Sequence, residues 1–209
     1  MKVRILFLIC FLSITCLLNA ADKPVIQIHT DNSSLIFRVA DNGRLYQSYL
    51  GKKLNHEADI SHLPQGTEAY ITHGMEDYFE PAIHILHNDG NPSLLLKYVS
   101  HETKAVSQGV NETIITLGDD KYPVTVKLHY VTYPAEDIIK TYTEISHKEK
   151  KPVVLHQYAS SMLHLNRAKY YLTEFSGDWA HEANISDQPL EFGLSLIHIS
   201  EPTRPLYIS

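Results

Sequence analysis

The side chains that could do chemistry in this 209-residue chain are its histidines and its carboxylates. The sequence has 13 histidines, and the closest group is His73, His84 and His87. Because side chains alternate along a strand, His84 and His87 point to opposite faces. Neither an HExxH motif nor a Cys-His pattern occurs. We therefore predict solvated or hydrogen-bonded structural histidines, with no metal site and no cofactor.

Carboxylates are the second possible source of chemistry, because glycoside hydrolysis uses a pair of them. Each candidate lies in a predicted loop or at a strand edge, where Asp and Glu are usually solvated. The candidates are Glu76-Asp77, Glu102, Glu136-Asp137 and Glu182. The sequence has no glycine-rich phosphate loop and no Gly-x-Ser-x-Gly elbow. From residue types alone, we assign no catalytic residue.

The single tryptophan, Trp179, lies between Asp178 and Glu182. An aromatic ring beside carboxylates can hold a sugar, because the ring stacks on the apolar face of a pyranose and carboxylates accept hydrogen bonds from hydroxyl groups. A tryptophan that anchors a strand end in the core is the structural alternative. Both interpretations stay open at this point.

Short strands separated by turn signals must position these side chains. The predicted strands are 25–30, 35–39, 45–50, 68–72, 82–87, 94–99, 113–117, 124–133, 138–145, 153–158 and 170–175. Asp41-Asn42-Gly43 predicts a hairpin turn, residues 51–74 a long loop, and residues 160–169 a loop or short helix. The fold class is therefore all-β, an antiparallel β-sandwich whose sheets each have one solvated face.

The composition limits which classes of partner this chain can bind and how it is stabilised. The formal net charge is -6, which argues against nucleic acid or an anionic membrane as a partner. Both cysteines, Cys10 and Cys16, lie in the first twenty residues. Without disulfides, the domain that follows must be stabilised by a sizeable hydrophobic core.

The two ends of the chain differ from the rest. Residues 1–20 have the basic start and apolar run of a cleaved signal peptide, which predicts export to the periplasm or outside and no membrane span after cleavage. Residues 194–204 resemble the translated end of transposon adapters used in DNA sequencing libraries, although a native strand with a Pro-rich tail is the alternative. We predict a native domain at 21–193 and a non-native tail at 194–209.

An ordered set of motifs resembles one family. The set is Glu76-Asp77-Tyr78-Phe79-Glu80-Pro81-Ala82, Ile83-His84-Ile85, Asp89-Gly90, Leu96-Lys97-Tyr98 with His101, Glu112-Thr113-Ile114, Val126-Lys127-Leu128-His129-Tyr130, Glu136-Asp137-Ile138-Ile139, Ser160-Ser161, Gly177-Asp178-Trp179-Ala180-His181-Glu182 and Leu190-Glu191-Phe192-Gly193. It covers nearly all of residues 25–193 and is similar to the N-terminal domain of glycoside hydrolase family 36 α-galactosidases.

The resemblance implies a large, supersandwich-like β-sandwich that precedes a catalytic (β/α)8 barrel. It implies retaining hydrolysis of terminal α-galactosides by two aspartates of that barrel, which lies outside this chain. The fragment alone is therefore expected to be inactive, with galactoside sugars as the substrates of the parent enzyme. It also implies a homo-oligomer in which this domain shapes a neighbouring active site.

We predict two substrate-binding residues, Asp77 and Trp179. The same resemblance implies Asp77, which matches the aspartate that touches galactose hydroxyl groups from a neighbouring subunit. Trp179 is the candidate for sugar stacking described above and lies in the Gly177–Glu182 motif. Phe79 and His181 stand where relatives often carry arginine. These departures predict altered specificity or assembly.

Three functions remain open from the sequence. The first is a fragment of an exported α-galactosidase, and the second is a stand-alone carbohydrate-binding sandwich with Trp179 as its platform. The third is a structural or oligomerisation module, which predicts an assembly state that depends on concentration.

The signal peptide gives a testable N-terminus. After expression with export, the mature protein should begin at Ala21 or Asp22, because the small residues there fit a cleavage site. Intact-mass spectrometry of the exported protein measures this directly. Leu8→Arg, which puts a charge in the apolar run, should block export, and a processed product from that variant would contradict the prediction.

Overall fold

The computed structural model describes residues 23–74, 80–165, 170–178 and 181–189 of the chain. The chain divides into two compact units, Met1–His164 and Leu165–Ser209. The predicted signal peptide and the predicted tail at 194–209 lie outside the described residues. In the described part, no helix is long and apolar enough to cross a membrane.

In the part of the first unit that the structure describes, there are ten strands and one short helix. The strands are β1 (Val25–His29), β2 (Ser33–Val39), β3 (Leu45–Lys52), β4 (Thr67–Glu68), β5 (Ile83–Leu86), β6 (Leu96–Ser107), β7 (Val110–Asp119), β8 (Val124–Tyr133), β9 (Ile138–His147) and β10 (Val154–Tyr158). The helix is α1 (Glu57–Ser61). The sheets have the orders β1-β2-β3-β4, β6-β7-β8-β9 and β10-β5, and the paired strands are antiparallel.

The second unit contains an antiparallel hairpin of two strands. Its strands are β11 (Tyr171–Asp178) and β12 (His181–Pro189). The register pairs Tyr171 with Pro189 and Phe175 with Ile185. The prediction of an all-β antiparallel sandwich is confirmed.

Alternating side chains explain how the strands of the first unit build a core. On β8, Val126, Leu128 and Tyr130 are buried on one face, as their period of two predicts. They join buried side chains of β1, β2, β5, β6 and β7 in one hydrophobic cluster. The rings of Phe37 on β2 and Tyr130 on β8 lie 5.1 Å apart, which brings side chains of the two four-stranded sheets into contact.

The turn prediction at Asp41-Asn42-Gly43 is confirmed. The register of β2 and β3 ends on the pair Val39 and Leu45. Gly43 has a φ of 78°, a conformation that glycine adopts without a Cβ penalty. The local sequence therefore determines this hairpin.

Several element bounds were wrong. The loop predicted at 51–74 contains α1, and the strand predicted at 68–72 is the two-residue β4. Strand β6 runs to Ser107 because it pairs with β7 over ten positions, which a short apolar run at 94–99 does not reveal. Strand β12 was missed, because its polar sequence lacks the apolar alternation of a half-buried strand. Residues 160–165 are irregular, and 166–169 lie outside the described residues.

Gly66 provides a test of how the chain enters β4. A Cβ at Gly66 would lie 1.9 Å from the carbonyl oxygen of Gln47 on β3, whereas a Cβ at Gly109 meets nothing within 4 Å. Both glycines have positive φ, so alanine brings the same backbone strain to each. Gly66→Ala should lower the free energy of unfolding by about 1–3 kcal/mol more than Gly109→Ala does. Equal losses in urea denaturation would contradict the packing of Gly66 against β3.

Candidate functional site

The two predicted substrate-binding residues, Asp77 and Trp179, lie outside the described residues, as do Glu76 and Phe79. Asp77 belongs to the first unit and Trp179 to the second. The structure does describe the residues that flank each of them. Strand β11 ends at Asp178 and β12 begins at His181, on either side of Trp179 and Ala180.

The ends of the chain segment that contains Asp77 are held together by backbone hydrogen bonds. The His73 amide donates to the Ile83 carbonyl (3.0 Å), and the Ala82 amide donates to the Ile71 carbonyl (2.7 Å). The amide of Ile83 also donates to the carbonyl of Ile71. This pairing fixes where the segment 75–79 leaves and rejoins the sandwich, beside β5.

Hydrogen bonds from β10 also hold the residues that follow this segment. The Gln157 side-chain amide donates to a carboxylate oxygen of Glu80 (2.9 Å) and to the carbonyl of Pro81 (3.1 Å). The backbone amide of Ala159 donates to the carbonyl of Ala82 (2.7 Å). Strand β10 therefore fixes the C-terminal end of the segment that holds Asp77.

Three histidines lie beside these hydrogen bonds: His73, His84 and His156. We call them the histidine stack. The rings of His73 and His84 are stacked with centroids 3.8 Å apart, and the His84 and His156 centroids are 4.8 Å apart. Burial, and then the charges of the other two rings, lower the pKa of His84. This shift favours the neutral form of the His84 ring. Within the described residues, no group of three or more His, Cys, Asp or Glu side chains is arranged to hold a metal ion.

His87 belongs to a different cluster from the one that the sequence suggested. Its Nδ1 contacts the Glu149 carboxylate (2.7 Å), and its Nε2 contacts the Ser93 carbonyl (3.1 Å). Burial raises the pKa of Glu149, but hydrogen bonds from His87 and Asn88 outweigh it and hold that pKa below its ordinary value. His87 and Glu149 thus form a buried hydrogen-bonded pair, and the His87 ring stacks on the ring of Tyr122.

Another buried carboxylate, Glu112, lies on the outer face of the sheet β6-β7-β8-β9. One oxygen of Glu112 accepts hydrogen bonds from Tyr142 (2.6 Å) and His129 Nδ1 (2.9 Å), and the second oxygen pairs with Lys104 (3.1 Å). Hydrogen bonds from Tyr142 and His129 lower the pKa of Glu112 to about 2. Glu144 lies 3.7 Å from His129 Nε2. We call these five side chains the outer-face cluster.

Neither the pair of His87 and Glu149 nor the outer-face cluster is arranged for glycosidic bond cleavage. A general acid needs a raised pKa, whereas hydrogen bonds lower the pKa of Glu112, and also that of Asp137. Asp137, one of the candidate carboxylates, binds the hydroxyl groups of Thr30 and Ser33. Glu102 and Glu182 are exposed strand residues. Glu112, Glu149 and Asp137 therefore connect elements of the sandwich. The sequence missed the buried pairs because strand register and loop positions bring their residues together.

Comparison with known proteins identifies a matching family. Residues 43–201 match the sequence profile of the family described as Glycosyl hydrolase family 36 N-terminal domain. The match includes residues 194–201, so the assignment of these residues to a non-native tail stays a prediction. The chain is 25% identical to a probable alpha-galactosidase G of Aspergillus terreus, over 57% of this chain and 18% of the relative. An alpha-galactosidase C of Emericella nidulans is likewise 25% identical, over 58% of this chain and 18% of that protein.

Solved structures share the fold. A GH36 alpha-galactosidase, AgaA, from Geobacillus stearothermophilus superposes with a TM-score of 0.73 at 19% identity, covering 81% of this chain and 28% of the other. The alpha-galactosidase of Lactobacillus brevis superposes with a TM-score of 0.70 at 21% identity and the same coverage. The chain therefore spans 18% of the length of these curated relatives and 28% of these solved structures.

The Glu112 carboxylate makes stability depend on pH in acid. Its pKa is lowered from 4.5 to about 2, so its stabilising contribution is complete above the unfolded pKa and is lost as pH falls towards the folded pKa. Tyr142→Phe removes one hydrogen-bond donor to Glu112, so the pKa of Glu112 should be lowered less. The variant should therefore lose less stability than the wild type as the pH falls. Thermal melts of both proteins from pH 6 to pH 2 measure the difference. A wild-type acid dependence unchanged in Tyr142→Phe would contradict the role of this hydrogen bond.

Proposed function

Since this chain belongs to the family of glycosyl hydrolase family 36 N-terminal domains, we propose that it is the N-terminal β-sandwich of an exported α-galactosidase. The parent enzyme hydrolyses terminal α-galactosides with retention of configuration. The observation that carries the proposal is the family match over residues 43–201, supported by the shared sandwich fold. The relatives that match this chain are named α-galactosidases.

The domain itself does not catalyse the reaction. A retaining mechanism needs a nucleophile and an acid/base about 5 Å apart on rigid elements. The buried carboxylates Glu112 and Glu149 already accept several hydrogen bonds, and their lowered pKa is opposite to that of an acid. Catalysis therefore belongs to the barrel that the parent protein supplies.

The role of this domain is to shape a substrate site and to support an oligomer. Asp77 contacts galactose hydroxyl groups of a site on a neighbouring subunit, by its place in the matching motif. Two features support this role: backbone pairing between 71–73 and 82–83 fixes the base of the segment, and Gln157 binds Glu80. A residue that reaches another subunit must be held by rigid flanking residues.

A stand-alone carbohydrate-binding module is the second candidate. It is favoured by Trp179, whose ring type and neighbouring carboxylates suit sugar stacking. In that case the chain binds galactosides without a barrel. The two candidates differ in what the isolated chain does with sugar.

The first prediction is that residues 21–193 do not turn over an aryl α-galactoside. The physical reason is the absence of an acid with a raised pKa among the described carboxylates discussed above. The assay follows release of the aryl alcohol over a day at micromolar protein. Turnover that a point mutation in this chain abolishes would overturn the proposal, whereas turnover that persists in such variants indicates a contaminant.

The second prediction separates the two candidates by calorimetry with raffinose. The N-terminal domain of a larger enzyme should show no saturable binding by itself. Phe175, which is 69% exposed on β11, gives a matched control for loss of an aromatic ring from the same hairpin. Binding that is lost in Trp179→Ala and kept in Phe175→Ala would favour the module instead.

A further inference from the structure

Three neighbouring segments each place one histidine on the same face of the sheet β10-β5, which we call the small sheet. Ile83 of β5 lies in the core, and side chains alternate along a strand, so the next residue, His84, points to the opposite face. His84 contacts His73, which follows the bridge between Thr72 and Ile83, and it contacts His156 of β10. The histidine stack therefore crosses three segments of the chain.

A bulge in β10 brings the third ring of the stack against β5. The register pairs Gln157 with His84 and shifts between Leu155 and Gln157, at the position of His156. A bulge takes its extra residue out of the ladder and changes the direction of its side chain. The rings of His73 and His84 are inclined by 19°, and those of His84 and His156 by 37°. Ring contact therefore adds to the backbone pairing that joins the three segments.

The elements around the stack bring no carboxylate that is bound to it, as far as the structure describes them. Besides the stack, the titratable side chains of residues 71–74, 80–95 and 148–158 that the structure describes are Glu80, His87, Asp89, Lys148, Glu149, Lys150, Lys151 and Tyr158. The three carboxylates of this set are hydrogen-bonded to other side chains. The lysines have the same charge as a protonated histidine ring, so they oppose protonation of the stack.

Adding protons to the stack brings like charges together. The first proton leaves a single charge, but the second puts two charges on rings whose centroids lie 3.8 Å or 4.8 Å apart if neighbours share them. Burial, and then the charges of His73 and His156, lower the pKa of His84 from its ordinary value of 6.5. The unfolded chain has no such repulsion, so it binds more protons than the folded chain as pH falls below about 6.5. The stabilising contribution of the stack is therefore complete above that pH and is lost in acid.

We propose that the histidine stack is a proton-sensitive contact, which holds the segment 71–73, β5 and β10 together when its rings are neutral and releases them in mild acid. The inference goes beyond the proposed function and does not rest on it, because every group involved belongs to this chain. The two four-stranded sheets have longer ladders, with eight paired positions between β7 and β8. Acid should therefore loosen the small sheet first.

Hydrogen exchange of the whole chain at pH 7.5 and pH 5, with a chelator present, tests the inference. The reporters are the amides of His73, Ala82 and Ala159, which donate across the small sheet. After correction for intrinsic exchange at each pH, their protection should fall severalfold in acid, by up to about tenfold for each proton bound one pH unit more weakly in the folded stack. Amides of the central strand β8 should keep their protection. Unchanged protection of the three reporters would overturn the inference.

His84→Phe removes the central titrating ring and keeps an aromatic side chain in its place. The reporters of this variant should keep most of their protection at pH 5, because a neutral ring then separates His73 from His156. His56→Phe is the matched control: His56 is exposed and makes no side-chain hydrogen bond to α1, so this variant should lose protection as the wild type does. An equal loss in both variants would overturn the inference and assign it to other groups, such as His164, whose pKa burial lowers.

Titration of the histidine rings by NMR gives a readout that does not need His84→Phe to fold. In the wild type, the His84 ring should titrate below 6.5. In the double variant His73→Phe with His156→Phe, the pKa of His84 should rise, because the like charges are gone while burial remains. An unchanged His84 pKa in the double variant would overturn the inference. So would reporter protection that increases in acid, since it would mean that a carboxylate pairs with the protonated stack.

Discussion

Contact between the apolar faces of the sheets is the interaction on which the rest of the first unit depends. The sequence outside the first twenty residues has no cysteine, so no disulfide can substitute for the core. The cluster that includes Phe37 and Tyr130 collects side chains from both four-stranded sheets and from β5. Because β5 is fixed by Ile83 and Ile85 in that cluster, the described residues next to it, 80–82, are held against the sandwich.

Buried carboxylates among the described residues connect strands and loops of the sandwich. The hydrogen bond between His87 and Glu149 joins the turn after β5 to the loop after β9. Glu112 joins β6, β8 and β9 through Lys104, His129 and Tyr142. A carboxylate with several donors stays ionised, which suits a structural acceptor and not a general acid. This use of carboxylates agrees with the proposal that the catalytic residues lie elsewhere in a longer parent.

The sequence predicted the features that depend on local residue order. Alternation in β8 and the Asp41-Asn42-Gly43 turn indicated an antiparallel sandwich, and both are found. The polar strand β12 was not predictable from alternation, because it carries few apolar residues. The pairs Glu112–His129 and His87–Glu149 join residues far apart in sequence, so they required the strand register and loop positions. Asp77 rests on the motif resemblance, and Trp179 on its ring type and the carboxylates beside it in the sequence.

The central claim is that this chain is the first part of a longer α-galactosidase. The most direct measurement is the sequence of the genomic DNA across the Gly193 codon and beyond. The account predicts that the frame departs from the Leu194–Arg204 peptide and continues with further strands and then a (β/α)8 barrel. A native, uninterrupted frame that encodes that same peptide and stops after Ser209 would contradict it.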